Sequence, residues 1–284
     1  MAIEIRPVAE STTASICIYS DAGGGKTTLI GSGGQDFNIL LIRSPEDLVD
    51  PIIGSGVQEA VCHDWEDMGE VQSMLHHEGS QFDWVCLEFA MWQDRGLRDV
   101  YGAALDRAGA VGTPARDYRK QFGPDKGEYR INMDRITELI ADLSSSSQFH
   151  FLMTAQPFVG PTLRTDDEIE NEERSEQVMP WIQGKNMIPK ITGMFNMLGY
   201  MYVTEAVVRE QKRQVRKIQW DKTPYIYAKN QIKKPDGTSV IPEGFMVNPT
   251  LSKIQEAFDS RKPARRTRPA RPTGRPARGR QAQR

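Results

Sequence analysis

The sequence predicts an α/β fold, with a mostly parallel central sheet covered by helices and an antiparallel hairpin region toward the C-terminus. Three observations carry this. Ser15–Tyr19, Phe37–Ile42, Phe82–Leu87 and Phe149–Ala155 are short, nearly continuous apolar runs, as strands buried on both faces require. The stretch from Asn132 places Ile136, Leu139, Ile140 and Leu143 at helical spacing, so one stripe of a helix faces the sheet. Later, Tyr200–Val208 and Gln214–Trp220 are two polar-edged strand runs joined by Arg209 to Arg213, which is a hairpin pattern.

Residues 1–14 are expected to form an edge strand or an extended lead-in. The first sheet strand, Ser15–Tyr19, then runs into a glycine-rich turn, Ser20–Gly25, and a helix that opens at Lys26. That order is the layout of a phosphate-binding loop. Glycines 23, 24 and 25 let the backbone approach phosphates without Cβ clashes. Lys26 supplies a point charge for the β- and γ-oxygens, and Thr27 a hydroxyl for Mg²⁺. The motif G-x-x-x-x-G-K-[ST] is matched by S-D-A-G-G-G-K-T, with Ser20 in place of the first glycine. That position sets the turn out of the strand, whereas the cradle forms further on. The expected contacts to the nucleoside triphosphate come from Asp21, Ala22, Gly23, Gly24, Gly25, Lys26, Thr27 and Thr28.

After Phe37–Ile42 comes Ser44-Pro45-Glu46-Asp47-Leu48, at the carboxyl end of a strand, where ligands gather in open α/β sheets. Glu46 or Asp47 is placed there to polarise an attacking water. Equally, Ser44-Pro45-Glu46 reads as a helix start, with a capping serine, proline at the first position and an early acid. Trp65–Gly79 is predicted helical. The run Phe82–Leu87 closes on Glu88, an acid at a strand end that would hold Mg²⁺ beside Thr27, although Asp is the usual residue there.

Residues 94–130 interleave Arg116, Arg119, Lys120 and Arg130 with Tyr118, Phe122 and Tyr129. This mixture suits phosphate contacts and base stacking along a single strand, and equally a surface loop packed on its own rings. Phe149–Ala155 ends at Gln156, positioned either to sense the γ-phosphate or simply to cap the strand before Pro157. Residues 164–176 carry seven acids in thirteen positions, so this loop is expected to be solvated and mobile, to make no direct contact with DNA, and by its sign to pair with the basic tail when nucleic acid is absent. Gly184–Leu198 is predicted as one helix, Tyr225–Ala228 as a strand, and Leu251–Phe258 as a closing helix.

The 36 basic and 38 acidic side chains are unevenly placed. Residues 261–284 hold ten of the basic ones and no acid, leaving 26 against 38 in the rest. Residues 259–284 are therefore expected to be a disordered Arg/Pro-rich tail on a domain spanning 1–258. Its Arg265, Arg266, Arg268, Arg271, Arg275, Arg278 and Arg280 suit a nucleic-acid backbone, or alternatively a solubility or targeting role. No apolar run is long enough to span a bilayer, and the N-terminus lacks a signal-peptide pattern, so a cytoplasmic protein is expected. Three cysteines fit that setting. Cys62, His63, His76 and His77 match no familiar zinc spacing.

With these residues in place, the chain resembles the RecA-like AAA-type P-loop ATPases encoded by bacteriophages, a group that includes single-strand annealing and recombination-associated proteins. The resemblance covers about residues 14–250. It rests on SDAGGGKTT, FDWVCLE, the region from Tyr118 to Leu143, HFLMTAQ, and YAKNQ followed by GTSVIPEGFMV. Lys229 and Asn230 match the first two residues of the Lys-Asn-Arg-Phe-Gly motif of the RadA branch, while Gln231 and Ile232 depart from it. The resemblance implies a RecA-like core, ATP hydrolysis with Mg²⁺, ring or filament assembly, and a Lys229 that acts toward a neighbouring subunit's nucleotide. It also implies work on single-stranded DNA in phage recombination or replication, with phage or host proteins as partners. Two other readings stand beside it: a nucleotide-dependent loading or structural factor with slow hydrolysis, and a small-molecule kinase. The acidic loop and polycationic tail argue against the kinase.

Overall fold

The computed structural model describes residues 12–110, 123–161, 176–184, 186–208 and 211–261. Its centre is a sheet in which β1 (Ser15–Tyr19), β2 (Ile39–Arg43), β3 (Gln58–Val61), β4 (Trp84–Glu88) and β5 (His150–Ala155) run parallel, in the order β3-β2-β4-β5-β1. On the other side of β1 lies the long β8 (Met197–Val208), whose first residues also pair with β1 in parallel. From there the sheet turns antiparallel, through β9 (Gln211–Gln219) to β11 (Phe245–Val247), with β10 (Lys229–Asn230) on the free part of the β8 edge. Pro157–Pro161 and Glu176–Pro180, β6 and β7, form a separate antiparallel pair.

Why the strand runs are apolar at every position is now plain. Successive side chains point to opposite faces of a sheet, and both faces are covered. Cys17 and Tyr19, Leu40 and Ile42, Val85 and Leu87 enter one core, with α2 (Trp65–Glu78), α3 (Phe89–Ala110), α4 (Lys126–Ser144) and α5 (Met187–Gly193) packed on it. Ile16 and Ile18, Ile39 and Leu41, Trp84 and Cys86 enter the other, covered by α1 (Lys26–Gly31) and α6 (Leu251–Asp259). Side-chain caps fix three of these helix starts: Asp64 on α2, Thr250 on α6, and on α4 a reciprocal pair in which Glu128 returns a bond to the Asp125 amide.

The short α1 ends in a glycine cluster. A Cβ on Gly33 would lie 2.7 Å from the Leu251 side chain, so α6 and the end of α1 approach only because that carbon is missing.

Three expectations change, and one open stretch is resolved. Gly184–Leu198 is not one helix: α5 stops at Gly193, and Met197 already belongs to β8. Its apolar residues at helical spacing serve a short helix, a turn and a strand, all facing the same core. Tyr225–Ala228 is not a strand. Its one ladder-like contact is an isolated bridge from Ile226 to Val178, and the pairing strand begins at Lys229. Ser44 starts no helix. Its N–H and hydroxyl both bond the Asp47 carboxylate, closing a turn instead. Residues 94–110, left open by the sequence, continue α3 directly from the end of β4.

Candidate active site

Because β1, β2, β4 and β5 are parallel, their carboxyl ends share one edge of the sheet. That edge collects the Ser20–Gly25 loop, the Ser44–Asp47 turn, Glu88 and Gln156. The loop strand and the acid strand are not neighbours: β5 lies between them, with Ile18 level with Thr154 and Thr154 level with Glu88.

The loop is built as its glycines require. Gly23 has φ +77° and Gly25 φ +101°, both in the region that side-chain-bearing residues avoid. Gly24 lies against Ser20, where a Cβ would strike the serine hydroxyl. Ser20 is fully buried, its N–H bonds the Ala155 carbonyl at 3.2 Å, and its hydroxyl turns back to the Asp21 carbonyl. A serine at the first motif position is thus accommodated as the turn out of the strand.

Lys26 opens α1, and its ammonium donates to the Ser20 carbonyl at 2.7 Å and the Asp21 carbonyl at 3.3 Å. Burial lowers its pKa, while the nearby Glu88 and Asp21 charges pull the other way. The Thr27 hydroxyl donates to Glu88 Oε1 at 2.8 Å. The Thr154 hydroxyl donates to the other carboxylate oxygen, Oε2. Glu88 is only 6% exposed, and its two oxygens are held by the hydroxyls of Thr27, in the first turn of α1, and Thr154, on β5, in a nearly dry position.

Among the described residues no group of three or more His, Cys, Asp or Glu side chains is arranged to hold a metal ion. Cys62 is buried in the core and His76 pairs with Asp142 at 3.2 Å. The Thr27–Glu88 pair offers a different donor set, one hydroxyl and one carboxylate. Such hard oxygens suit Mg²⁺, an ion that takes its remaining ligands from substrate phosphate and water.

Glu46 and Asp47 have separate environments. Glu46 pairs with Arg95 and, at 3.3 Å, with Arg98, both on α3. Burial alone would raise its pKa, but backbone and Ser44 hydrogen bonds together with the Arg95 guanidinium hold it below the usual carboxylate range. Asp47, by contrast, is pushed up to about 6 by burial, with the Glu88 charge adding to the effect and the Ser44 bonds opposing it.

Gln156 follows β5 directly, and its carbonyl accepts the Trp181 N–H at 2.7 Å. Lys229, on β10, turns its ammonium to the last carbonyls of α5, Thr192 at 2.9 Å and Gly193 at 3.4 Å, within its own chain. Arg116, Arg119 and Lys120 lie outside the described residues, as do Arg265, Arg266, Arg268, Arg271, Arg275, Arg278 and Arg280.

Three further residues at this edge escape local sequence patterns. Thr154 is a single hydroxyl inside an apolar strand, visible only as a polar exception in HFLMTA. Tyr200 donates to Asp21 at 3.3 Å, stacks on Tyr202 and packs tilted against Tyr19. Arg216 of β9 stands against Gly25, with a Cβ placed there falling 2.7 Å from its Nε. Both Tyr200 and Arg216 reach the loop because β8 pairs with β1.

No protein-family model matches this sequence, and no curated protein matches it. Among solved structures the chain is similar to the RadB recombinase, at 11% identity with a TM-score of 0.40, over 82% of this chain and 89% of that one. It is also similar to the flagellar accessory protein FlaH from Methanocaldococcus jannaschii, at 8% identity with a TM-score of 0.31, over 72% and 77% of the two chains. Both likenesses are distant, and the chemistry of the site rests on this chain's own residues.

Proposed function

We propose that this chain is an Mg²⁺-dependent, RecA-like ATPase that acts on single-stranded DNA. The observation that supports this most is the Thr27–Glu88 hydrogen bond of 2.8 Å, which joins the hydroxyl after the loop lysine to a buried acid two strands away. A structural role alone gives no reason to bury a carboxylate at the open edge of a sheet beside a lysine and a glycine loop.

In this reading the loop amides and Lys26 hold the triphosphate, and Lys26 leaves the Ser20 and Asp21 carbonyls to bear charge on the γ-phosphoryl oxygens. Mg²⁺, when bound, neutralises phosphate charge. Thr27 and Glu88 are the residues that would hold it, and Thr154 fixes the carboxylate plane. Of the two acids after β2, Asp47 is the better placed by chemistry to take a proton from water, because its pKa near 6 approaches neutrality while Glu46 is committed to arginines. Gln156 then links the γ-phosphate to the β6–β7 pair that follows it.

The DNA part of the proposal is supported by the sequence: the polycationic tail and the cation–aromatic segment 116–130. The setting implied by the resemblance is phage recombination or replication, in a ring or filament in which Lys229 faces the neighbouring nucleotide. A second reading, a nucleotide-dependent loading or structural factor with slow hydrolysis, is favoured by one observation: both candidate water-polarising acids are already engaged, Glu46 by arginines and Asp47 by Ser44.

The deciding measurement is ATP turnover by wild type and Lys26→Ala, with and without single-stranded DNA. The ATPase reading expects turnover that rises with DNA and is lost in the variant. Turnover in Lys26→Ala close to wild type rejects the site, and slow turnover indifferent to DNA selects the second reading.

A further inference from the structure

The edge of the sheet holds one cation that the proposed mechanism does not use. Arg216 is exposed on β9, and its guanidinium lies against Gly25, the residue before the loop lysine: a Cβ at Gly25 would be 2.7 Å from Nε and 3.3 Å from Cζ. Among the described residues this guanidinium has no carboxylate or carbonyl partner. The other arginines near the site are committed, Arg43 to Glu59 and Arg95 to Glu46.

The backbone beneath Arg216 is unusually well fixed. Its N–H donates to Asn248 Oδ1 at 3.3 Å, and the Asn248 N–H donates to its carbonyl at 2.7 Å. Asn248 is the one non-glycine residue with positive φ among the described residues, at +46°, and Lys253 donates to its carbonyl at 2.8 Å. Asparagine enters the left-handed region more readily than other side-chain-bearing residues, and one held on two sides fixes where the arginine is carried.

An arginine stays charged at any pH a protein meets, and its planar fork matches phosphate oxygens in pairs. Placed next to the Lys26 backbone with no acid of its own, it adds positive charge where only an anion relieves it. We propose that Arg216 contacts the phosphate chain of the bound nucleotide from within the same subunit, approaching the glycine loop at Gly25. The inference rests on the loop being a nucleotide site.

The test is calorimetric binding of ATP and ADP to the full chain in four forms: wild type, Lys26→Ala, Arg216→Lys and Arg216→Gln. The melting temperature is read with and without nucleotide. The expected result is that Arg216→Gln weakens both nucleotides by about tenfold or more, as loss of a charge-assisted paired contact does. Arg216→Lys should recover part of that loss, and neither change should move the melting temperature without nucleotide. Binding by Arg216→Gln within about twofold of wild type overturns the proposal. So does the reverse order, with glutamine retained and lysine lost, which would assign Arg216 to stacking on the base. Weakened single-stranded DNA binding with nucleotide affinity intact would assign it to DNA and overturns it too. Wild type that binds no nucleotide, or Lys26→Ala that binds as wild type does, rejects the loop itself and the role of Arg216 with it.

Discussion

The hydroxyl of Thr27, in the first turn of α1, is hydrogen-bonded at 2.8 Å to the Glu88 carboxylate, although β1, which leads into α1, and β4, which ends at Glu88, do not touch. Thr154 of the strand between them completes the contact by holding the second carboxylate oxygen. A carboxylate that receives one hydroxyl on each oxygen is oriented before any ligand arrives, which removes part of the ordering cost of binding one.

Glu88→Gln tests that arrangement. The amide keeps the volume but offers one acceptor oxygen and one NH₂, so one threonine loses its acceptor. Stability should fall by about 1–2 kcal/mol. The Mg²⁺ concentration that half-saturates ATP hydrolysis should rise by about tenfold or more. A magnesium titration of turnover checks this, and an unchanged midpoint would remove Glu88 from the metal site.

Asp47 makes stability depend on pH in a defined direction. Its pKa is raised from the ordinary 3.8 to about 6, so the folded chain binds the proton more tightly than the unfolded one. The protonated form carries no penalty at low pH, and stability falls as pH rises through the window between those values. Asp47→Asn should therefore stabilise the protein at pH 7.5, by about 1–2 kcal/mol, and have little effect at pH 4. Melting temperatures of both proteins across that range give the answer. The same substitution should flatten the rise of turnover near pH 6 if Asp47 takes a proton from water.

Gly23 and Gly25 separate two causes of glycine preference. Both have positive φ, but a Cβ on Gly23 meets nothing within 4 Å, whereas one on Gly25 meets Arg216. Gly23→Ala should cost about 1 kcal/mol from backbone strain alone. Gly25→Ala should cost more, and the excess should shrink when Arg216 is also shortened to alanine. A double-mutant cycle in urea denaturation measures that coupling.

Lys229 closes the carboxyl end of α5 within its own chain. Lys229→Ala should lower stability by about 1 kcal/mol in a protein kept dilute enough to remain monomeric. If its work lies only across a subunit contact, the monomer's melting temperature will not change and turnover will fall only where the protein assembles.

The tail can be removed cleanly only beyond Arg261, because α6 runs to Asp259 and the Arg261 guanidinium lies over the Phe258 ring at 3.9 Å. Truncation there removes nine cations. If about half of them meet phosphates, the log–log salt slope of single-strand binding should become shallower by roughly 3. Deleting residues 164–175, which hold six of the acids, should tighten that binding at low salt; unchanged affinity would separate the acidic segment from DNA altogether.

The sequence was most legible where burial is total. Ser15–Tyr19 is the strand the apolar run predicts, and β2, β4 and β5 shift from their predicted limits by one or two residues. It was least legible at edges and junctions. Gln58–Val61 pairs only with β2 at the rim of the sheet and is half exposed, so it carries no apolar run to announce it. The start of α3 is hidden because Phe89 follows Glu88 without a turn or cap. At the site, the loop and Glu88 are contained in local patterns. Thr154 and Arg216 depend on which strands become neighbours, and the pairing of Ile16 with Met197 spans too much chain for any local signal to encode.

The interposed β5 makes the sheet itself a ruler for the site. Adjacent strands stand about 4.8 Å apart, so loop and acid are held roughly two such steps from each other whatever their own side chains do. Substitutions in β5 that alter its path, even on the face away from the ligand edge, would change that span. Thr154→Val keeps the strand and removes only the hydroxyl, which makes it the variant that tells distance apart from orientation.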